Sequence, residues 1–318
     1  MADPLTIDVT VDLNTDESLK KGARLVLQRI RPDWVGDDID WKVFTDGITN
    51  KLIGAWFRDK QDTVLVRVYG IGTEKIIDRK TEVENMRKLD AINAGSKLYA
   101  IFNNGIAYEF IHGSTLTKES VKNPAVYPLV ARMTAKLHHI PIQSGECKLW
   151  SMLRNFIELC PQQLASKEKQ EQMEKYCFSQ AELFTEYNML KGKIVVFIDM
   201  EYAGPSLAAF DIANHFVEFV GCGGELDFIN DVPGRELQED WIREYLTEFN
   251  RIANSSPPTN SEIVAMYDLV QVFMLCSNLL WSSWSLIQAK NSNIDFDFVD
   301  YAIQRQREYR RKKGLLGL

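Results

Sequence analysis

One stretch of the chain, residues 194–221, constrains the fold more than any other because it joins a strand, two acids and a helix within a short segment. It reads IVVFIDMEYAGPSLAAFDIANHFVEFVG. The apolar run at 194–198 is rich in β-branched residues, which predicts a buried strand. The run ends at Asp199, and Glu201 falls on the same face of the strand. Because α/β proteins place ligands at the carboxyl ends of strands, these two acids predict a site for a hard cation.

The second half of this stretch predicts a helix that carries polar side chains. Asp211 stands where the helix should begin, with its carboxylate able to accept backbone N–H groups, and Asn214, His215 and Glu218 follow within two turns. Taken alone, Asp211 is more often an ordinary N-cap, and a lone histidine between apolar neighbours is more often packed than a ligand. The combination of strand, acids, turn and helix favours a functional site.

Length and composition predict a globular protein with two lobes or domains. The chain has 318 residues, more than one core usually organises, of which 45% are hydrophobic and 25% charged. The net charge of −7 argues against a nucleic-acid partner, because such binding is driven by basic surface. The five cysteines form no CxxC pair, and with the four histidines they show no zinc-ligand spacing, which predicts thiols in a reducing compartment. The acidic N-terminus lacks a signal-peptide core and no apolar run looks long enough to span a membrane, so a cytoplasmic protein is predicted.

The N-terminal third predicts an antiparallel meander with a possible anion site. The loop DGITNK, at 46–51, carries small and hydroxylated residues whose N–H groups can bind phosphate, although such a turn is more often just a hairpin. Arg67 lies among apolar neighbours and needs a partner. Glu84 on the next helix is the candidate, with an ordinary surface salt bridge as the alternative. The predicted elements are a short strand at 5–13, a helix at 18–30, strands at 41–44, 51–57 and 63–69, and a helix at 78–93.

The rest of the chain predicts helices. Trp281 and Trp284 lie three residues apart on a long apolar helix and share one face. Two such aromatics are usually core, and a wall for an ammonium group by cation–π attraction is the less common alternative. The pair His138 and His139 ends a helix, where a favourable interaction with the helix terminus is more common than catalysis. The predicted helices cover 124–139, 148–159, 167–187, 240–254, 261–289 and 304–313.

Several segments resemble the choline and ethanolamine kinases. IDMEYAGPSLAAFDIANHFVEF is similar to the family signature IDxEYxxYNxxxxDIxNHFxE, and departs from it at Pro205 and Ser206, where the family carries Tyr-Asn. Four other segments resemble the ethanolamine kinases more closely than the choline kinases: GITNKL, VLVRVYG, FNNGIAYEFIHG and NPAVYPLVARMTAKLH. The resemblance covers nearly the whole chain. It implies an α+β, two-lobed protein-kinase-like fold: an acidic lead-in at 1–20, a small antiparallel-sheet N-lobe at 21–112 and a mostly helical C-lobe at 113–318.

The resemblance also implies an activity and a set of site residues. The activity is transfer of the γ-phosphoryl group of ATP to the hydroxyl of ethanolamine, with Mg²⁺, in the CDP-ethanolamine route to phosphatidylethanolamine. On this resemblance Thr49, Asn50, Arg67, Glu84, Glu109 and Ile111 belong to the nucleotide site, the last two in the hinge that receives adenine. Asp199 would bind Mg²⁺, and Glu201, Tyr202, Glu218, Trp281, Trp284, Phe296 and Tyr301 would line the amine pocket.

One part of the family pattern is missing. The family carries a His-x-Asp-x(4)-Asn loop shortly before Asp199, whose Asp takes or orients the substrate proton and whose Asn holds the magnesium ion. Between Gln143 and Asp199 the chain contains no histidine and no aspartate. No catalytic base is identified. The simplest hypothesis is that a block containing this loop is absent, through exon skipping or a gene-model error, and divergence into a pseudokinase would look the same.

The missing loop leads to two expectations about the protein. A hairpin that should pair with the strand ending at Asp199 would be lost and Asp211 would lose its partner, so reduced stability relative to a complete homologue is expected. The alternatives to an ethanolamine kinase are a choline kinase and a catalytically silent binding or regulatory protein. The latter would keep nucleotide or amine affinity, or pair with an active sibling as a regulatory subunit. The partners predicted for the chain are the small amino-alcohol substrate and a second copy or a full-length sibling in a dimer.

Overall fold

The computed structural model describes residues 3–35, 38–44, 50–70, 79–140, 147–191, 207–292 and 294–318. The chain divides into two compact units, Met1–Thr115 and Leu116–Leu318. The strand expected at 194–198, together with the site residues Thr49, Asp199, Glu201 and Tyr202, lies outside the described residues.

A mixed sheet forms the centre of the first unit. Within the described ranges its strands are β1 (Leu5–Ile7), β2 (Ile39–Phe44), β3 (Asn50–Phe57), β4 (Val64–Tyr69), β5 (Leu98–Phe102) and β6 (Gly105–Glu109). Their order is β1-β5-β6-β4-β3-β2, and each pair is antiparallel except β1 with β5, which is parallel. The predicted meander of β2, β3 and β4 is confirmed. The first predicted strand is much shorter than expected, because residues after Ile7 leave the sheet.

Two helices, α1 (Asp16–Ile30) and α2 (Arg79–Ala91), accompany this sheet. The first turn of α1 is fixed by a capping box: the Ser18 N–H donates to Thr15 Oγ1 at 3.0 Å, and the Thr15 N–H donates to Ser18 Oγ at 3.1 Å. The apolar face of α1 then packs on the sheet. The core of the unit includes Leu19, Ala23, Val26 and Leu27 of α1 with Ile53, Ala55, Val64, Val66, Val68, Ala100 and Ala107 of the strands.

Gly105 lets β6 approach β4 closely. A Cβ added at Gly105 would lie 2.2 Å from the carbonyl oxygen of Arg67 and 2.4 Å from the Phe102 ring. Neither the backbone nor the packed ring can give way by that much, so only glycine fits at this position. The close approach holds the strand that carries Arg67 in register.

The second unit is helical. Its helices are α3 (Tyr127–Leu137), α4 (Lys148–Leu159), α5 (Lys167–Tyr176), α6 (Gln180–Lys191), α7 (Ala208–Val217), α8 (Arg235–Ile252), α9 (Asn260–Asn291) and α10 (Phe298–Leu315). The long helix α9 lies at the centre, where α4, α7, α8 and α10 pack against it. It begins at a capping box between Thr259 and Glu262. Helix α4 has the predicted bounds, whereas α10 begins six residues earlier than predicted.

The single helix predicted at 167–187 is instead two helices. Helix α5 ends at Tyr176, and Cys177 after it has extended backbone angles. Helix α6 begins with another capping box, in which the Glu182 N–H donates to Ser179 Oγ at 3.3 Å and the Ser179 N–H donates to Glu182 Oε2 at 2.7 Å. The Ser-x-x-Glu pattern at 179–182 is therefore the sequence feature that marks the start of the second helix.

Helix α9 corrects the expectation that no apolar run is long enough to span a membrane. Among the described residues it is the one helix that meets that length and hydropathy requirement, with a mean hydropathy of 1.7 over its most apolar window. More than half of that window is buried inside the unit. Its apolar surface is thus used for packing against the neighbouring helices.

Candidate functional site

In the first unit, Arg67 on β4 pairs with Glu82 on α2. Arg67 Nη2 donates to Glu82 Oε1 at 2.5 Å, and the Glu82 side chain is only 5% exposed. The predicted partner, Glu84, instead pairs with Lys88 at 2.7 Å on the helix surface. The prediction of Glu84 as the partner of Arg67 is wrong. Glu84 lies two residues after Glu82, which is about 200° further around the helix, so its side chain points away from β4.

Arg79 and Asn50 complete this group, which we call the arginine–glutamate cluster (Asn50, Arg67, Arg79 and Glu82). Arg79 Nη1 donates to Glu82 Oε2 at 3.0 Å, and its Nη2 donates to Asn50 Oδ1 at 3.1 Å. The structure therefore brings the predicted nucleotide residues Asn50 and Arg67 to the same cluster. Planar guanidinium groups recognise phosphate oxygens in a two-pronged manner, so the chemistry suits a polyphosphate.

The predicted adenine hinge follows β6. The backbone N–H of Glu109 donates to the Lys97 carbonyl at 2.9 Å, and that of Phe110 donates to the Thr63 carbonyl at 3.2 Å. Beyond them Ile111 is exposed. The backbone is thus paired up to Phe110, and contact of Glu109 and Ile111 with adenine stays a prediction.

Replacing Glu82 with glutamine is expected to lower the free energy of unfolding of the first unit by about 2 kcal/mol. The substitution removes the charge that the guanidinium groups of Arg67 and Arg79 share in a buried place. Urea unfolding of the variant measures the loss. Glu84→Gln, two residues along the same helix, is the matched control and should change stability by less than about 0.5 kcal/mol. Equal losses from the two variants would contradict the pairing.

In the second unit, the predicted aromatic residues of the amine pocket lie together. The ring centroids of Trp281 and Trp284 on α9 are 5.8 Å apart, and those of Phe296 and Tyr301 are 5.7 Å apart. Phe298 joins the two pairs, with its centroid 5.9 Å from that of Trp284 and 4.8 Å from that of Phe296. We call these five residues the aromatic cluster.

The orientation of Trp281 is fixed by Asn214 on α7. Asn214 Oδ1 accepts hydrogen bonds from Trp281 Nε1 at 2.7 Å and from Ser277 Oγ at 2.9 Å. Asn214 was recognised in the sequence only as a polar helix residue. The structure gives it the role of holding an aromatic ring of the cluster in place.

Glu218, at the end of α7, meets the cluster through Arg305 on α10. Arg305 Nη2 donates to Glu218 Oε1 at 2.7 Å and to the Tyr301 hydroxyl at 2.5 Å. The Arg305 guanidinium also lies 4.9 Å from the centroid of the Tyr301 ring. Arg305 was not among the predicted site residues, because it falls in the predicted helix at 304–313 among several other basic residues. The signal that could have found it is its spacing of four residues from Tyr301, which places both on one helix face.

A loop at residues 221–234 covers one side of the aromatic cluster. It begins at Gly221, whose φ of 75° favours glycine. It is anchored where Lys118 Nζ meets Asp231 Oδ2 at 2.8 Å and where the Leu226 N–H donates to Gln304 Oε1 at 2.7 Å. The residues packed around Tyr301 from this loop and beside it are Val220, Leu226, Phe228 and Val232.

Asp211 is a buried partner of His138. His138 Nε2 lies 2.9 Å from Asp211 Oδ2, and His138 Nδ1 lies 2.8 Å from the Tyr245 hydroxyl. Burial raises the pKa of the Asp211 carboxyl well above its ordinary value. Helix α7 begins at Ala208, so the prediction of Asp211 as N-cap is wrong. Asp211 nevertheless has a partner in His138, which reaches it from the end of α3, and the loss of its contact with the missing loop stays a prediction.

His215 is packed among aromatic side chains, as its apolar neighbours predicted. Its ring centroid lies 5.0 Å from that of Phe219 and 5.4 Å from that of Trp241. Burial lowers the pKa of His215 to about 4, so the ring is neutral at pH 7.

Acidification is expected to destabilise the chain through His215. Its pKa is near 6.5 when unfolded and about 4 when folded, so stability is complete above pH 6.5 and is lost as pH falls toward 4. This difference corresponds to roughly 3 kcal/mol. Between pH 7 and pH 4 the melting temperature should therefore fall less steeply for His215→Phe than for the unchanged chain. His112→Gln, at an exposed histidine, should keep the original slope. Parallel curves for the unchanged chain and His215→Phe would count against this account.

No group of three or more His, Cys, Asp or Glu side chains that could hold a metal ion occurs in the part of the chain that the structure describes. The predicted ligand Asp199, with Glu201 and Tyr202 beside it, lies outside that part. The magnesium site therefore stays a prediction.

Comparison with known proteins identifies the family. The model of the choline/ethanolamine kinase family matches residues 41–192 and 173–310. The chain is 36% identical over 339 aligned positions to ethanolamine kinase 1 of Mus musculus, with 96% of this chain and 93% of that protein covered. It is 37% identical over 329 positions to ethanolamine kinase 2 of Homo sapiens, with 95% and 83% covered.

A solved structure has a similar fold. The ethanolamine kinase of Plasmodium vivax superposes with a TM-score of 0.77 at 24% identity, covering 96% of this chain and 93% of that one. This likeness confirms the predicted α+β kinase fold, with a small sheet-containing unit and a larger helical unit. The chain belongs to the choline/ethanolamine kinase family.

Proposed function

We propose that this chain is an ethanolamine kinase, which transfers the γ-phosphoryl group of ATP to the hydroxyl of ethanolamine. The observation that carries the proposal is its identity of 36–37% to proteins named ethanolamine kinase over at least 95% of its length. The aromatic cluster with Glu218 beside it supports the proposal chemically. Ring faces and a carboxylate are the groups that attract a small ammonium ion.

The reaction asks mainly for positioning and charge stabilisation. The ethanolamine oxygen forms a bond to the γ-phosphorus while the bond to the β–γ bridging oxygen breaks, and the hydroxyl proton leaves to a base. Arg67, with Asn50 and Arg79, would bind the phosphates. Asp199 would hold Mg²⁺, which neutralises charge on the phosphate oxygens. Glu218 and the aromatic cluster would hold the amine.

The missing base favours a second candidate, a catalytically silent amine-binding protein. The region between Gln143 and Asp199 has neither histidine nor aspartate. The 339 positions aligned with the mouse relative exceed the 318 residues of this chain, so that relative carries residues with no counterpart here. The family match is also split, and its first part ends at residue 192, seven positions before Asp199. These observations support the absence of a block in this region.

The deciding experiment is ATP-dependent phosphorylation of ethanolamine by the purified chain beside an Asp199→Ala variant, with choline as a parallel substrate. A rate above that of the Asp199→Ala variant supports the kinase. If choline is phosphorylated faster than ethanolamine, choline is the substrate. No turnover from a folded chain that binds ethanolamine in calorimetry supports the silent binder. A folded chain that neither binds nor phosphorylates either amine rejects both candidates.

Membership of the family supports the finer parts of the proposal. They are the use of ATP with Mg²⁺, entry of phosphoethanolamine into phosphatidylethanolamine synthesis, and a cytoplasmic location. Pairing with a second copy or a full-length sibling stays a prediction, and size-exclusion chromatography with light scattering measures it.

A further inference from the structure

We propose that Arg305 is a positioning residue that orients Glu218 to receive a primary ammonium group. On this proposal the amine pocket recognises N–H donors rather than positive charge alone. The inference rests on the proposed function, because it concerns how the same pocket selects its amine.

Arg305 is fully buried. Its side chain is 0% exposed, and a guanidinium group stays charged in proteins. Within the described ranges its Nη2 bonds to Glu218 and Tyr301, whereas Nε and Nη1 have no hydrogen-bond partner. A buried charge with unsatisfied donors stabilises a fold less than an apolar side chain of similar size. Arg305 is thus poorly explained as a stabilising residue, and its one carboxylate contact points to another role.

Glu218 is partly exposed beside this buried arginine. Its side chain is 42% exposed, in contrast to the fully buried guanidinium behind it. Oε1 accepts the Arg305 hydrogen bond, and Oε2 accepts none from the residues that the structure describes. One oxygen is therefore tied down while the other is presented. The half-buried rings of Trp281 and Phe296 lie in the cluster around Tyr301, the second residue that Arg305 contacts.

Primary and quaternary ammonium groups differ in their hydrogen-bond donors. A primary ammonium carries three N–H donors and can form a short, charge-assisted hydrogen bond to a fixed carboxylate oxygen. A quaternary ammonium has no such donor and is held by charge and by ring faces. Since Arg305 offsets the charge of Glu218, the pair contributes little general attraction for cations. The pair therefore favours ethanolamine over choline.

The test compares two amines and two arginines on one helix. Ethanolamine and choline are titrated by calorimetry into the unchanged chain, Arg305→Met and Arg307→Met, the last at an exposed position of α10. Arg305→Met should weaken ethanolamine binding roughly tenfold, since a hydrogen bond to a charged group is lost. Choline binding should stay the same or become tighter, because a positive charge is removed. Arg307→Met should bind both amines as the unchanged chain does.

Two further variants protect the test against a folding defect. Arg305→Lys keeps the charge without the planar fork and should fall between the unchanged chain and Arg305→Met. In a Glu218→Gln background, Arg305→Met should have little additional effect on ethanolamine, because the two residues act as one unit. Equal weakening of both amines by Arg305→Met, or full additivity with Glu218→Gln, overturns the inference. Failure of the unchanged chain to bind either amine instead rejects the proposed function, and the inference with it.

Discussion

A chimera in which a block carrying the family's His-x-Asp-x(4)-Asn loop is inserted ahead of Asp199 is expected to phosphorylate ethanolamine about 10²–10⁴ times faster than this chain. The reason is that the family's His-x-Asp-x(4)-Asn loop would supply a base for the hydroxyl proton and a second ligand for Mg²⁺. The block comes from ethanolamine kinase 1 of Mus musculus, which aligns with 96% of this chain. Initial rates of phosphoethanolamine formation from ethanolamine and ATP measure the gain.

The control for the chimera is the same protein with the aspartate of the inserted loop replaced by alanine. It should return to the rate of the present chain, because the fold is restored and the base is not. If the present chain already matches the chimera, another residue acts as base and the account of the missing loop is wrong. Binding of ethanolamine should be similar in both proteins, since Glu218 and the aromatic cluster are unchanged.

Replacing Asp211 with alanine is expected to lower the free energy of unfolding by about 1–3 kcal/mol. The carboxylate is the acceptor for His138 Nε2, and the other nitrogen of that ring meets the Tyr245 hydroxyl. In the neutral tautomer that donates from Nε2, the ring accepts from Tyr245 through Nδ1. Alanine would remove this acceptor from a buried N–H group and open a gap beside the end of α3. Chemical unfolding followed by circular dichroism measures the loss.

Two other substitutions calibrate this value. Asp211→Asn keeps an oxygen for His138 Nε2 and should lose roughly half as much as alanine. Glu244→Ala breaks an ion pair with Arg132 that joins the same α3 to α8, at 2.7 Å and on the surface. That exposed pair should contribute less than about 1 kcal/mol. A loss of that size from Asp211→Ala would mean that His138 finds another acceptor.

Regular elements with strong periodicity were predictable from the sequence. Helix α4 has the predicted bounds because its apolar residues repeat at helical spacing on one face. The break at Ser179 was missed because both neighbouring helices are polar and the hydrophobic pattern continues through it. The hairpin of β5 and β6 was not predicted from pattern, since its turn at Asn103 and Asn104 is stabilised from afar: Asn104 Oδ1 accepts the N–H of Val11.

Within the candidate site, the aromatic pairs were accessible from spacing and resemblance, whereas the ion pairs were not. Arg67 required an acid on α2, but the choice between Glu82 and Glu84 depends on how that helix is rotated against the sheet. Arg305 and Glu218 are 87 positions apart. Local propensity carries no information over such a separation, and the packing of α7 and α10 against α9 brings the two side chains together.

The parallel pairing of β1 with β5 has a consequence for the order in which the first unit assembles. Leu5 pairs with Ala100, so β1 must find a partner that is synthesised much later. At ~5–20 residues per second, translation imposes a delay on the order of five to twenty seconds between the two. During that interval β2, β3 and β4 can already pair with one another as neighbours in the chain. The nascent protein should therefore complete its sheet with β1, and a ribosome stalled before residue 98 should leave β1 accessible to proteases and chaperones.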